Sequence, residues 1–178
     1  LIFENKGEVV GVSNSHPHCQ IYAPGFVLDG LQQEHAVFQR YTDSMGRGLL
    51  EDLNEAELHD GRRIVVNSSD TIAFVPYFAR FPYETFVIPR ERHSFIHELS
   101  ADEREDLASV LQEVLVRYDN LWQMAFPYML LLHQAPVQAA DSSFHFHIQI
   151  HPPMRQPGLQ KYLASVETGV GHFLNDGC

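Results

Sequence analysis

Two stretches of this sequence carry side chains that do chemistry. The first is Ser13-Asn14-Ser15-His16-Pro17-His18-Cys19-Gln20. In an extended segment His16, His18 and Gln20 project to one face, because strand side chains alternate with period two. Pro17 has no N–H to give a ladder, which suits a strand start or an edge. Two imidazoles and an amide on one face support either of two chemistries. They can ligate a metal, or one imidazole can attack phosphorus while the amide and backbone donors hold the phosphate oxygens. A His-x-His pair also occurs in surface strands with no function at all, so spacing alone leaves the choice open.

The second stretch is Phe144-His145-Phe146-His147-Ile148-Gln149-Ile150-His151. Its even positions are Phe, Phe, Ile, Ile and its odd positions His, His, Gln, His, an alternation that predicts a strand over 144–151 with one core face and one coordinating or polar face. A solvated face would carry Lys, Thr or Glu, and none is present. His133, which ends Leu130-Leu131-Leu132, can face the same place from a neighbouring strand. His93, His97 and His172 stand alone and read as surface or hydrogen-bonded core residues. The acidic run 102–106 reads as a helix start. No Gly-rich phosphate cradle and no Gly-x-Ser-x-Gly elbow is present.

These residues must be positioned by an α+β framework. Residues 8–12 and 19–23 read as short strands around a polar turn, stopped by Pro24-Gly25. Residues 29–58 read as helical, with a Gly-Arg-Gly break at 46–48. Asp60-Gly61 signals a turn, and 63–67 with 71–77 reads as a hairpin. Phe81-Pro82 punctuates before a strand at 85–89. Ser100 and Glu103 form a capping box, and Leu107, Val110, Leu111, Val114 and Tyr118 follow as one apolar stripe. Strands at 128–133 and 144–151, and a closing strand near 162–166, complete the order. The expectation is one antiparallel sheet with helices packed on it.

Composition sets the limits. With 178 residues, 44% of them hydrophobic and 20% charged, the chain excludes disorder, collagen-like repeats and a disulfide-stapled miniprotein. Its net charge of −11 repels phosphate backbones, which argues against nucleic acid as a partner. Any anionic ligand must be held by local donors. The 11 histidines are the compositional anomaly, and they cluster. Cys19 and Cys178 have no metal-ligand spacing and suggest a reducing, cytoplasmic setting. No apolar run approaches the roughly 20 residues of a membrane span. The opening Leu-Ile-Phe-Glu-Asn lacks a signal-peptide pattern and reads as part of a sheet begun elsewhere.

Further motifs carry a resemblance. Phe3-Glu4-Asn5-Lys6-Gly7, Gly11 to Gln20, Val75 to Thr85, Arg117-Tyr118-Asp119-Asn120-Leu121, Phe126-Pro127-Tyr128 and Lys161-Tyr162-Leu163-Ala164 through Glu167 occur in order along the chain. Together they resemble the galactose-1-phosphate uridylyltransferase family, of the histidine-triad superfamily. The resemblance implies a histidine-triad-like fold in two halves, with residues 1–25 the tail of the first and 26–178 the second. It also implies a ping-pong nucleotidyl transfer from UDP-glucose to galactose 1-phosphate in a cytoplasmic homodimer.

By the same resemblance His18 is the nucleophile, Gln20 holds the transferred phosphoryl group, and His16 is a zinc ligand. Asn5, Gly11 and Ser13 contact the nucleotide, and Lys161, Tyr162, Ala164, Val166 and Glu167 contact the hexose, reaching the partner subunit's site. Cys19 stands where the family has Gly or Cys, small enough to admit phosphate, and Ser15 stands where many members have Pro. A second zinc or iron site is implied by Glu34, His133 and His147. Its fourth position falls on Gln149, a poor substitute for imidazole, with His145 the neighbouring candidate. Two other readings are a relative acting on ADP-sugars or dinucleoside polyphosphates and a non-catalytic metal-binding β-domain. The match at 161–167 favours the uridylyltransferase.

Overall fold

The structure is a computed structural model, and it describes residues 1–12, 18–137 and 143–174. Among the described residues nine strands and four α-helices run in the order β1 (Ile2–Lys6), β2 (Cys19–Ile21), α1 (Asp29–Met45), α2 (Leu49–Asp60), β3 (Ile64–Asn67), β4 (Thr71–Phe74), β5 (Thr85–Pro89), α3 (Ala101–Leu121), β6 (Tyr128–His133), β7 (His147–His151), β8 (Met154–Gln156), β9 (Leu159–Gln160) and α4 (Val166–Val170). Seven strands form one sheet in the order β2-β1-β6-β7-β5-β4-β3, every pairing antiparallel, and β8 and β9 form a separate ribbon. This is the expected α+β architecture.

Register decides which side chains share a face. Gln20 pairs with Phe3, Phe3 with Leu131, Leu131 with Gln149, Gln149 with Phe86 and Phe86 with Phe74. Directly opposed residues point the same way, so this row belongs to one face. Phe74, Phe86, Ile72 and Ile88 there pack with Phe38 of α1 and Leu50 of α2. On the other face Val87, Leu130, Ile148 and Ile150 pack against Leu107, Val110 and Val114 of α3. With helices on both sides, β4, β5 and β7 are buried on both faces.

The helix boundaries follow local chemistry. Gly46 in the left-handed region ends α1, Gly48 precedes α2, and Gly61, also left-handed, ends it, so the Gly-Arg-Gly break is a helix–helix corner. At α3 the capping box is complete. Glu103 N–H donates to Ser100 Oγ at 3.2 Å, and the Ser100 N–H donates to Glu103 Oε2 at 2.7 Å. Of the five stripe residues, Leu107, Val110, Val114 and Tyr118 are buried and Leu111 packs at their margin.

Three expectations are corrected. Residues 8–12 are not a strand: 8–10 make a 3-10 turn and the strand is β1. Val9, Val10 and Val12 favour extension, but the chain must turn where Gly7, at φ 99°, passes Pro127 so closely that a Cβ would lie 2.8 Å from the proline Cβ. The strand foreseen at 144–151 begins only at His147, because the Phe146 N–H donates to the His93 carbonyl in a loop instead of a ladder. The closing strand near 162–166 is absent. There 161–164 is irregular and α4 begins at Val166, a folded-back arrangement held by Lys161 paired with Glu167 at 2.9 Å.

Around the end of α3 an aromatic cluster locks helix to sheet. Phe126, fully buried, meets Trp122, Tyr118 and Tyr83 at ring distances of 4.8, 5.0 and 5.8 Å. The Tyr118 hydroxyl donates to the Tyr83 carbonyl at 2.6 Å, holding Tyr83 at φ 62°, a left-handed conformation uncommon for an aromatic residue. Phe126→Ala should therefore cost about 3–5 kcal/mol, read as a lowered urea midpoint. A shift well under 1 kcal/mol would refute this account of the cluster.

Candidate functional site

His18 and Gln20 of the first histidine stretch and His147, Gln149 and His151 of the second come to one face of the sheet. Gln20 lies on β2, and the register carried one residue further sets His18 beside Asn5 of β1. Asn5 pairs with Met129 and Met129 with His151. His18, Gln20 and Asn5 thus share the face that carries His133, His147, Gln149 and His151. Gln20 and Gln149 are three strand spacings apart, roughly 14 Å at about 4.8 Å per strand. The site therefore has two centres on one surface.

The second centre is built from α1, β6 and β7. His133 and His147 are directly opposed in the sheet, and their rings stack at 5.0 Å. Glu34, from α1, reaches over them. Its Oε2 lies 2.7 Å from His133 Nδ1 and its Oε1 3.3 Å from His147 Nε2. The ligand atoms of Glu34, His133 and His147 lie within 4.8 Å of one another, a grouping that could hold a metal ion. Burial opposes the charge on Glu34, yet the hydrogen bond from His133 leads the effects that outweigh it and hold the carboxyl well below the usual carboxylate range. Burial pushes the His133 ring the other way, toward its neutral form.

Gln149 decides whether a four-ligand metal site fits here. Its Nε2 lies 2.9 Å from His147 Nε2 and 3.4 Å from Glu34 Oε1, so amide hydrogens occupy the position where a fourth donor would stand. His145 is not that donor: its Nε2 donates to the Pro89 carbonyl at 2.9 Å, and burial pushes its pKa down to about 3. Glu34, His133 and His147 are ligands of the right chemistry, but the residues present do not fit a site with four protein ligands.

Around these centres runs a polar support that the sequence had left unassigned. The buried Glu84 accepts the backbone N–H groups of Arg80 at 2.7 Å and Phe81 at 3.0 Å, and its Oε2 lies 3.5 Å from His151 Nδ1. Arg80 Nη2 donates to Gln149 Oε1 at 3.3 Å, and its guanidinium lies 5.5 Å from the Phe173 ring. Charged residues flanking Phe81-Pro82 in an apolar stretch are the signal that would have found them. A cavity of about 400 Å³ opens beside this group, walled by Phe38, Leu50, Leu53 and Phe78, with Arg80 and Gln149 among its lining residues.

The remaining candidates are dispersed. Ser13 and His16 lie outside the described residues. Gly11 is an exposed left-handed cap of the turn after β1. Lys161 and Glu167 pair with each other, whereas Tyr162, Ala164 and Val166 are exposed. Of the lone histidines, His93 bonds Glu103 at 2.7 Å. Among the described residues no helix is long and apolar enough to cross a membrane.

An antiparallel sheet with a histidine-bearing edge hairpin and a carboxylate–histidine cluster on the same face defines the class. Residues 34–166 match the family model for the galactose-1-phosphate uridyl transferase C-terminal domain, and residues 1–27 match that for its N-terminal domain. The chain is 38% identical over 177 residues to the galactose-1-phosphate uridylyltransferase of Thermotoga maritima, covering 98% of this chain and 55% of that protein. It is 37% identical over 171 residues to that of Rattus norvegicus, covering 93% and 45%. A solved structure of a uridylyltransferase superposes with a TM-score of 0.91 at 32% identity, covering 98% of this chain and 55% of that one. The chain belongs to the galactose-1-phosphate uridylyltransferase family. It spans about half the length of the curated relatives it matches.

The Glu84 geometry generates a test. Burial raises its carboxyl pKa, but His151, Arg80 and the Phe81 N–H outweigh burial, so the folded value lies below the ordinary one. Its stabilisation is therefore present above the unfolded value, about 4.3, and is lost as pH falls below it. Glu84→Gln should cost on the order of 2 kcal/mol at pH 7. The two proteins' urea midpoints should converge as pH drops below about 4; parallel curves down to pH 3 would show that the charge contributes nothing.

Proposed function

We propose that the protein transfers a uridylyl group from UDP-glucose to galactose 1-phosphate through a covalent histidine intermediate. The observation that carries this reading is Gln20 on an edge strand whose register, carried one residue past Cys19, sets His18 beside Asn5, in a chain of this family. In the proposed first step the neutral imidazole of His18 attacks the α-phosphorus of UDP-glucose. A nitrogen–phosphorus bond forms, the bond to the β-phosphate oxygen breaks, and glucose 1-phosphate leaves. In the second step a phosphate oxygen of galactose 1-phosphate attacks the same phosphorus, releasing His18 and giving UDP-galactose. Imidazole suits both halves, because its neutral form is abundant near neutral pH and it is a good nucleophile and leaving group.

The side-chain amide of Gln20 would donate to a phosphoryl oxygen, favouring the charge that builds there as phosphorus changes partners. Asn5, Gly11 and Ser13 would contact the nucleotide. Lys161, Tyr162, Ala164, Val166 and Glu167 would contact the hexose, in the family's manner, across a homodimer interface. The exposure of Tyr162, Ala164 and Val166 supports a role toward a second subunit. His16 would be one ligand of a zinc site whose other ligands the family draws from its N-terminal half. A cytoplasmic location belongs to the same reading, and the absence of nucleic-acid partners accords with the charge of −11.

The test is intact mass of the whole protein after incubation with UDP-glucose at neutral to alkaline pH, beside His18→Ala and an ADP-glucose control. A uridylyl adduct in the wild type and none in His18→Ala is expected. An adduct only with ADP-glucose would move the protein to an adenylyl-transferring relative, and no adduct from folded protein would refute the transferase reading. Gln20→Ala should slow adduct formation by about 10²–10³-fold, the loss typical of one such donor.

A further inference from the structure

We infer that the Gln149 side chain, clamped by Arg80, takes the place of a metal ion and makes the Glu34–His133–His147 cluster a metal-independent strut. Three constraints fix the orientation of the amide, and they agree. Arg80 Nη2 lies 3.3 Å from one end of it, and a guanidinium only donates, so that end is the oxygen. His147 Nδ1 lies 2.9 Å from the His145 carbonyl, which only accepts, so Nδ1 carries the hydrogen. His147 Nε2 then offers a lone pair to the amide nitrogen 2.9 Å away. The second amide hydrogen is directed at Glu34 Oε1, 3.4 Å distant.

One NH₂ group thereby does what a cation would do. It satisfies the histidine lone pair and a carboxylate oxygen that would otherwise face each other at 3.3 Å with nothing positive between them. His133 Nδ1 completes the arrangement by donating to the other carboxylate oxygen at 2.7 Å. The result ties α1 to β6 and β7 without an ion.

A cation would have to undo this. For Gln149 to serve as a ligand its amide must rotate to present the oxygen, which turns the NH₂ toward the Arg80 guanidinium, donor against donor. The guanidinium also brings a positive charge to the rim of the site. Both effects disfavour a divalent ion where the three side chains alone would welcome one. The clamp is itself held, since the backbone N–H of Arg80 donates to the buried Glu84.

The test is metal content of the whole protein, by elemental analysis for zinc and iron per subunit, in wild type, Glu34→Gln, Gln149→His and the Gln149→His/Glu34→Gln double variant. Wild type and Glu34→Gln should hold equal metal, whatever is bound elsewhere. Gln149→His should gain about one equivalent and the double variant should lose it. Titration of chelator-stripped protein with Co²⁺ gives a second readout: Gln149→His and Arg80→Met should develop visible d–d absorption from about one more equivalent of cobalt than the wild type binds. Arg80→Met keeps every candidate ligand, so it tests the clamp even if a ligand variant misfolds. Loss of about one equivalent on going from wild type to Glu34→Gln would overturn the inference. So would a Gln149→His protein that gains no metal.

Discussion

The pairing of β6 with β1 on one side and β7 on the other is the constraint on which the rest depends. Through Leu131, opposed to Phe3 and to Gln149, one row of side chains runs from the edge hairpin to the buried centre of the sheet. A slip of one residue at either pairing would turn Gln20 and Asn5 to the α3 face, or bury Ile148 where His147 now lies. The apolar residues enforce the register. Leu130, Ile148 and Ile150 have a core to enter only on the α3 side, and Phe86 and Phe74 only beneath α1 and α2. Packing on both faces, more than any hydrogen bond among the functional groups, fixes where the chemistry stands.

That double burial makes the polar accounting severe. His147, Gln149 and Glu84 are all buried, and each unpaired group there would cost on the order of 1–3 kcal/mol. The protein answers with chains of partners: Glu84 on two backbone N–H groups, Arg80 between Glu84 and Gln149, and Gln149 between Arg80 and the Glu34 cluster. Such a network is rigid because each member is oriented by the next. It also links the segment around Phe173, which lies against Arg80 and Phe81, to the floor of the sheet.

The sequence was most legible where period and cap act locally. Strands 85–89 and 128–133, the α3 capping box with its stripe, and the corner at 46–48 stand where the pattern put them. It was least legible where a distant contact overrides propensity. Val9 and Val10 turn because Gly7 must pass Pro127, and Phe144 and Phe146 enter the core from a loop anchored on His93. Alternation separated His147, Gln149 and His151 from Ile148 and Ile150 correctly, yet could not tell that the polar face is as buried as the apolar one, nor that Phe144 joins the α1–α2 cluster on the histidine side. Glu34, 99 residues before its partner His133, came from resemblance alone. Arg80 and Glu84 lay in plain view within a matching motif, but their role exists only once Gln149 is opposite them.

The aromatic cluster at the end of α3 has an optical consequence. The chain has a single tryptophan, Trp122, and it packs edge-on to Tyr83 at 5.5 Å and against Phe126 at 4.8 Å. Its fluorescence reports the α3 layer of the sheet. The Glu34 cluster lies beneath the other layer, separated from the indole by the sheet itself. Emission from this one residue and absorption by a cobalt ion taken up by a Gln149→His protein on the opposite face therefore report from different layers. Together they can separate loosening of one helical layer from loosening of the other.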